Sequence, residues 1–197
     1  MPQLTKLALK YGTDKCPPMQ SFTPFYEELC KGLEIKSLLE IGIGYPGTMQ
    51  HMPNYKIGAS LFMWRDFFPK AQIYACDIRR DTLINEDRIK SFYCDQSKRR
   101  SLLKLKEKIG QVDIIVDDGS HKTEHQILSA KVLLPMAKKY YIIEDVKEPG
   151  PCGLPPALLE PFNLGAVKYM LFFCRGLAAS LFFLIHLDFS VENSSSV

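Results

Sequence analysis

The sequence lacks several features that would point directly to a class of function. No two of its six cysteines stand in a CxxC pair, so a zinc site of the usual spacing is not expected. Its 25 basic and 22 acidic side chains leave a net charge of only +3, which gives no electrostatic reason to expect a nucleic-acid partner. The N-terminal stretch has no apolar core of signal-peptide length, and with the scattered cysteines this predicts a reducing, cytoplasmic compartment.

A long uninterrupted hydrophobic run is also missing. The stretch 166–189 is strongly apolar, but Lys168, Arg175 and His186 interrupt it, whereas a membrane helix needs about 20 predominantly apolar residues. We therefore expect no membrane span, and instead a short core helix or buried strands, such as a hairpin that finishes a sheet. The preceding segment 147–162 is rich in proline and glycine and is typical of a linker or surface loop.

The rest of the chain alternates between strand and helix patterns. Its 46% apolar and 24% charged residues are ordinary values for a globular protein. Apolar periodicity predicts helices at 22–33, 59–68, 101–109 and 123–137 and strands at 37–41, 71–78, 91–95, 112–120 and 140–146. This order predicts an α/β fold with a doubly wound, mostly parallel sheet and helices on both faces. We expect a helical cap (1–36), an α/β core (37–146) and a divergent C-terminal segment (147–197) within one domain, with incomplete or divergent C-terminal strands.

Acidic side chains follow the predicted strands. They are Glu40, Asp77, Asp95, the pair 117–118 and the pair 144–145. Because parallel strands end at the same edge of a sheet, we expect these acids to share one rim. In such folds ligands bind at this rim, near the point where the strand order reverses.

A glycine-rich turn follows the first predicted strand. Gly42, Gly44 and Gly47 satisfy GxGxxG, but a dinucleotide site also needs an acid at the next strand end about 20 residues on. Asp66 is near that distance but lies in a predicted helix, and Asp77 comes later. A nicotinamide oxidoreductase is therefore disfavoured. The alternative without any ligand is that the glycines only make a tight exit from the strand.

The acids that follow the second and third strands are candidates for an adenosine site. Asp77 can accept hydrogen bonds from both hydroxyls of a ribose, or it is simply a solvated acid. Asp95 and Gln96 either face an adenine edge or cap a loop.

The motif DDGSH (117–121) is the most specific one in the sequence. Asp118 and His121 are three residues apart across an Asp-Gly turn, so both can face one pocket. Histidine is the usual general base near neutral pH, although His121 could also be a helix cap or a surface residue. Asp118 with Glu144 and Asp145 forms a set of oxygen ligands that suits Mg²⁺ or Mn²⁺.

Five segments together resemble one protein family. They are YGTDK (11–15), LEIGIG (39–44), GASLFMWRDFFPKAQIYACDI (58–78), DIIVDDGSH (113–121) and YYIIEDV (140–146). Over residues 7–147 the chain resembles the class I S-adenosylmethionine-dependent methyltransferases of the mycinamicin and macrocin sugar O-methyltransferase type. The resemblance implies a Rossmann-like methyltransferase fold, S-adenosylmethionine and Mg²⁺ (or Mn²⁺) as cofactors, and a small-molecule hydroxyl acceptor, for example a sugar. It leaves both a monomer and a homo-oligomer open.

The resemblance also implies roles for individual residues. His121 is the expected base, and Asp118, Glu144 and Asp145 are the expected metal ligands. The residues expected to bind the cofactor are Glu40, Gly42 and Gly44 around the methionine and sulfonium, Asp77 at the ribose, Asp95 and Gln96 at the adenine, the N-terminal Tyr11, Thr13 and Lys15, and further Ser60 and Asp117. Residues 147–197 depart from the family pattern. An alternative function is therefore a cofactor-binding but inactive module whose tail binds a partner.

Overall fold

An eight-stranded sheet organises the part of the chain that the computed structural model describes, which is residues 1–50, 52, 55–146, 167–173 and 181–187, the last two ranges as backbone only. The strand order is β3-β4-β2-β1-β5-β6-β8-β7. The five central strands β4, β2, β1, β5 and β6 run parallel, and β3, β8 and β7 are each antiparallel to a neighbour. The strands are β1 (Ser37–Ile41), β2 (Gln72–Asp77), β3 (Asn85–Glu86), β4 (Ile89–Tyr93), β5 (Val112–Asp117), β6 (Ala137–Ile143), β7 (Val167–Phe173) and β8 (Leu181–Leu187).

Within the described residues, five α-helices cover the two faces of this sheet. They are α1 (Gln3–Tyr11), α2 (Phe22–Leu29), α3 (Ala59–Phe67), α4 (Arg99–Ile109) and α5 (Thr123–Leu133). Helices α1, α2 and α3 bury apolar side chains in one core cluster, while α4 and α5 contribute to a second. The doubly wound α/β sheet predicted from the strand–helix alternation is thereby confirmed.

The strand sequences explain why there are two cores. Leu38 of β1 belongs to the first cluster and Leu39 to the second, and Ile114 and Ile115 of β5 divide in the same way. Successive side chains of a strand point to opposite faces. A strand covered by helices on both sides therefore needs apolar residues at consecutive positions, as β5 has.

Several predicted bounds differ from the structure. The helix predicted at 22–33 ends at Leu29, and the strands predicted at 112–120 and 140–146 are Val112–Asp117 and Ala137–Ile143. The helix predicted at 123–137 is α-helical only from Thr123 to Leu133, and a 3₁₀ turn follows from Leu134 to Met136. The α-helix ends there because Pro135 has no N–H to donate to the preceding turn. The third predicted strand is shifted to Ile89–Tyr93 and forms a hairpin with the short β3. The apolar pattern of SFYCD alone did not indicate this hairpin.

The apolar C-terminal stretch contains a hairpin, which the sequence had left open beside a short core helix. Strand β8 is antiparallel to both β6 and β7, with Tyr141 opposite Ile185 and Lys168 opposite His186. The sheet thus continues past its last parallel strand rather than ending there. No helix among the described residues is long and apolar enough to cross a membrane. The predicted linker 147–162 lies outside the described residues.

The strand order reverses between β1 and β5. From β1 the chain proceeds outward to β2 and β4 on one side, and from β5 to β6 on the other. The two connections diverge above this point and leave a crevice at the carboxyl ends of the strands. Most of the acids singled out from the sequence stand at this edge.

Candidate functional site

The glycine turn after β1 lies directly against the loop after β5. Gly42 has a φ of 93°, and its N–H donates to the carbonyl oxygen of Cys76 at 2.8 Å. A Cβ at position 42 would overlap the carbonyl oxygen of Asp118. Gly44 has a φ of 76°, and a Cβ there would lie 2.7 Å from the Tyr55 hydroxyl. Both glycines are therefore required by backbone conformation and close approach.

Asp77 ends β2 beside this turn. Its carboxylate accepts hydrogen bonds from the backbone N–H groups of Ile43 and Arg79, each at 2.8 Å. These two bonds fix the carboxylate at the rim, and each oxygen keeps a lone pair for a further donor. Asp77 therefore lies next to the glycine turn, as a ribose ligand would require.

Glu40 lies beneath the turn and is fully buried. The indole N–H of Trp64 donates to its Oε2 at 3.0 Å, and Ser60 is a further hydrogen-bond partner. Its Oε1 accepts no hydrogen bond from the described residues, and the nearest cation is the Lys15 ammonium at 3.4 Å. Burial, opposed by Lys15, raises the pKa of Glu40 to about 7.

Gln96 and Asp117 connect the loops after β4 and β5. The Gln96 amide donates to Asp117 Oδ1 at 2.6 Å, and its carbonyl oxygen accepts from the N–H of Ser120 at 3.0 Å. A Cβ at Gly119 would overlap this carbonyl oxygen. Gln96 thus braces the DDGSH loop, which nothing in its sequence position indicated.

Asp95 is placed apart from these residues. Its Oδ1 accepts hydrogen bonds from the N–H and hydroxyl of Ser97, at 3.0 and 2.6 Å. It also lines a groove of about 830 Å³ together with residues of β4 and α4. This is the loop-capping arrangement that the sequence left open beside a role at the adenine.

Three side chains of the DDGSH and IEDV motifs form what we call the outer group: Asp118, His121 and Asp145. One ligand atom of each lies within 4.8 Å of the other two, the arrangement of a possible metal site. His121 Nε2 is 3.0 Å from Asp118 Oδ1, and its Nδ1 is 3.8 Å from Asp145 Oδ2. His121 and Asp145 both have positive φ, at 55° and 50°, a strained conformation that often occurs at functional sites.

The charges of the outer group shift its pKa values in opposite directions. Burial disfavours the charged form of Asp118, but Lys15 and His121 outweigh it and lower the pKa of Asp118 to about 2. Burial likewise disfavours the imidazolium, but Asp118 and then Asp145 raise the pKa of His121 above its usual 6.5. The group therefore favours a charged carboxylate beside a basic imidazole.

Glu144 is turned away from the outer group and belongs to what we call the inner group: Lys15, Glu40, Asp118 and Glu144. The Lys15 ammonium lies 2.5 Å from Asp118 Oδ2, 2.6 Å from Glu144 Oε2 and 3.4 Å from Glu40 Oε1. The Tyr26 hydroxyl donates to the other oxygen of Glu144. Among the described residues, His121 is the third side chain grouped with Asp118 and Asp145, while the Glu144 carboxylate contacts Lys15 and Tyr26. The role of Glu144 as a metal ligand stays a prediction.

The N-terminal element reaches the site only in part. Lys15 enters the inner group, whereas the Tyr11 hydroxyl donates to Asp66 of α3 and its ring packs against Phe62. Thr13 is buried just after α1, where its N–H donates to Ala8. Tyr11 is thus placed against α3, and its role at the cofactor stays a prediction. Asp66 is a helix residue, as expected from the sequence, and not a strand-end acid.

No protein-family model matches the chain, but several known proteins are similar to it in sequence. The chain is 35% identical over 149 residues to mycinamicin VI 2''-O-methyltransferase of Micromonospora griseorubida. It is 37% identical over 149 residues to demethylmacrocin O-methyltransferase of Streptomyces fradiae. Each alignment covers 74% of this chain and 36% of the relative.

Solved structures give the same result. The mycinamycin-pathway methyltransferase MycE in complex with Mg and SAH superposes with a TM-score of 0.72 and 27% identity, covering 92% of this chain and 54% of that one. An O-methyltransferase from Bacillus cereus in complex with SAH has a TM-score of 0.56 at 11% identity, which shows a shared fold.

The length of the match differs greatly between this chain and its relatives. The chain spans about a third of the length of the curated relatives and about half of the solved MycE chain. Within that span the expected motifs occur in the expected order, on the sheet that MycE also has. With about a third of the aligned residues identical over about three quarters of its length, and with a shared fold, the chain is similar to known O-methyltransferases.

Proposed function

We propose that this protein transfers a methyl group from S-adenosylmethionine to a hydroxyl of a small molecule, specifically a sugar hydroxyl, with help from Mg²⁺ or Mn²⁺. The observation that carries the proposal is the close approach of the glycine turn at Gly42 to the loop of Asp118. It brings a nucleoside-binding turn next to an acid–histidine group at one crevice. The relatives are named for O-methylation, and MycE was solved with Mg and SAH.

The residues around the glycine turn fit the cofactor. Glu40 offers a buried oxygen, Oε1, that lacks a hydrogen-bond donor among the described residues. Gly42 and Gly44 carry no side chain, so the backbone of the turn stays accessible at positions where a Cβ would overlap neighbouring atoms. Asp77 stands beside them with free lone pairs for the two ribose hydroxyls. Ser60, Gln96 and Asp117 support this site through hydrogen bonds to its walls.

The outer group fits a divalent cation. The carboxylates of Asp118 and Asp145 lie within 4.8 Å of each other and of His121, and they offer the oxygen ligands that Mg²⁺ and Mn²⁺ prefer, with water or substrate completing the shell. A cation bound there would lower the pKa of an acceptor hydroxyl and orient it. Asp118 and Asp145 would hold it.

His121 is the group able to take the acceptor proton. Its imidazole is oriented by Asp118 at 3.0 Å and faces Asp145 on the other side. It must be neutral to act as a base. Because these carboxylates raise its pKa, we expect methyl transfer to increase with pH through the neutral range as the imidazolium loses its proton. The sulfonium methyl is already activated, so the remaining task of the protein is to align the acceptor with it.

The decisive test of this proposal combines cofactor binding and turnover. Calorimetry should show that S-adenosylhomocysteine binds the wild-type chain and that Asp77→Ala weakens it by about 1.5–3 kcal/mol, the usual contribution of hydrogen bonds to a charged group. Asp81→Ala, which changes an exposed carboxylate nearby, is the matched control and should bind normally. Equal affinity of Asp77→Ala and wild type would refute the ribose assignment.

Turnover separates this proposal from the alternative of an inactive cofactor-binding module. Transfer of labelled methyl groups to glycosylated acceptors should depend on Mg²⁺, and His121→Ala should lose about 10²-fold or more while still binding S-adenosylhomocysteine. The alternative is based on residues 147–197, which depart from the family pattern. Cofactor binding without transfer to any acceptor would establish it.

The compartment and assembly are part of the same proposal. We place the protein in the cytoplasm because, among the described residues, the four cysteines at 16, 30, 76 and 94 are free and buried, as in a reducing environment. Neither a nucleic-acid partner nor a membrane is required by the site. Size-exclusion chromatography with light scattering would distinguish a monomer from a homo-oligomer.

A further inference from the structure

Lys15 is a buried lysine at the centre of the inner group. Its side chain is 2% exposed, and its ammonium lies within 3.4 Å of the carboxylates of Glu40, Asp118 and Glu144. These carboxylates come from β1 and from the loops after β5 and β6. Two of the N–H groups of this ammonium donate to Asp118 and Glu144, and Glu40 Oε1 lies 3.4 Å away. The lysine therefore stands where three buried carboxyl groups would otherwise meet without a cation.

The backbone fixes this lysine before its side chain reaches the strands. Helix α1 ends at Gly12, which has a φ of 72° and turns the chain inward. The carbonyl oxygen of Lys15 accepts the N–H of Thr23 at 3.1 Å, at the start of α2. The two N-terminal helices thus hold the ammonium in place from outside the sheet.

The carboxylates of the inner group need this cation for an electrostatic reason. Burying like charges together is unfavourable unless an opposite charge lies among them. Besides Lys15, the only described side chain that donates to the Glu144 carboxylate is Tyr26, through its hydroxyl. Only Asp118 is shared with the outer group, through its other oxygen. The two groups therefore have separate requirements for positive charge.

We propose that Lys15 is a positioning residue, an internal cation that holds Glu40, Asp118 and Glu144 in place so that the outer group is assembled before a divalent ion binds. This proposal rests on the proposed function only for the identity of the outer cation. It assigns the inner carboxylates to the lysine, so that folding of the wild-type site does not depend on metal.

Thermal unfolding of the full chain with and without Mg²⁺ tests this assignment. In EDTA, Lys15→Met should lower the melting temperature by about 10 °C, because it leaves buried carboxylates unpaired. Millimolar Mg²⁺ should restore most of this loss by entering the vacated position, while it should shift the wild type much less. Lys15→Arg, which keeps the charge, should lose less in EDTA than Lys15→Met, and Lys31→Met at an exposed lysine should behave as wild type.

A second variant keeps the test decisive if Lys15→Met does not fold. Because Glu144→Gln removes one of the unpaired charges, Lys15→Met should cost much less in the Glu144→Gln background than in the wild type. Equal losses in both backgrounds, or a loss in Lys15→Met that Mg²⁺ does not reduce, would overturn the proposal and leave Lys15 with a packing role. Calorimetry of S-adenosylhomocysteine on the wild type tests the proposed function separately, since its failure would leave these melting temperatures unchanged.

Discussion

Replacing Asp117 by asparagine should remove a pH-dependent penalty from the stability of this fold. Asp117 ends β5 and is completely buried. Its Oδ1 accepts from the Gln96 amide at 2.6 Å and the Gly119 N–H at 3.4 Å, and the Tyr141 hydroxyl lies 3.4 Å from its Oδ2. Asparagine keeps the acceptor for Gln96 and can donate to the tyrosine oxygen, so Asp117→Asn changes the charge more than the contacts.

The expected magnitude follows from the pKa. Burial raises the pKa of Asp117 from 3.8 to about 7, although Gln96 and Gly119 oppose it. Below about pH 4 both the folded and the unfolded carboxyl are protonated, and the group contributes nothing. Between pH 4 and 7 the folded state keeps the proton and the unfolded state loses it, so stability falls as pH rises. Each pKa unit corresponds to about 1.4 kcal/mol, which gives a total penalty of about 4 kcal/mol by pH 8.

Urea unfolding at a series of pH values measures this penalty directly. The free energy of unfolding of Asp117→Asn minus that of the wild type should increase by about 4 kcal/mol between pH 4 and pH 8. Asp87→Asn changes a carboxylate that is 83% exposed and should give a flat difference. A flat difference for Asp117→Asn as well would show that burial does not hold its proton, and the reasoning would be wrong.

Three other outcomes follow from single contacts. Gly42→Ala should lower the free energy of unfolding, measured in urea, by at least about 2 kcal/mol, clearly more than Gly12→Ala. Both glycines have positive φ, but only Gly42 lies so close to a backbone carbonyl that an added Cβ would overlap it. Equal losses in the two variants would contradict this close approach. Arg88→Met should cost about 1–3 kcal/mol, because its guanidinium lies 3.1 Å from three carbonyl oxygens at the end of α3, and an unchanged unfolding midpoint would contradict this. The pH profile of methyl transfer should rise through the pKa of His121, which its carboxylate neighbours raise, and a rate independent of pH from 6 to 9 would exclude it as the base.

The sequence was sufficient for the parallel core because the signal is local. Consecutive apolar residues such as Leu38 and Leu39, followed by a glycine, predict a strand that is buried on both faces, and the structure has it at Ser37–Ile41. For the C-terminal stretch, the interrupting charged residues argued against a membrane span and left buried strands, such as a hairpin, or a short core helix as alternatives. The β3–β4 hairpin was missed because β3 has only two residues, too few for any periodicity.

The candidate site divides along the same lines. Acids at strand ends and the DDGSH spacing placed Asp77, Asp118 and His121 at one edge, because parallel strands and a tight turn determine that geometry from nearby residues alone. Only the folded chain shows that Asp95 accepts a hydrogen bond from Ser97 and that Tyr11 donates to Asp66 of α3. No local sequence pattern distinguishes an acid that faces the crevice from one whose carboxylate is hydrogen-bonded to other residues of the protein.

What the sequence by itself determined, then, is the order of strands and helices and the edge at which chemistry can occur. The tertiary structure decided how the charges at that edge are paired. Glu144 and Asp145 are adjacent in sequence, yet one faces the buried ammonium of Lys15 and the other faces His121. Lys15 lies 103 residues from Asp118 and 129 from Glu144 in sequence. Charges so far apart in sequence can pair only where the fold brings them together. Here the packing of the N-terminal helices against the sheet determines that position.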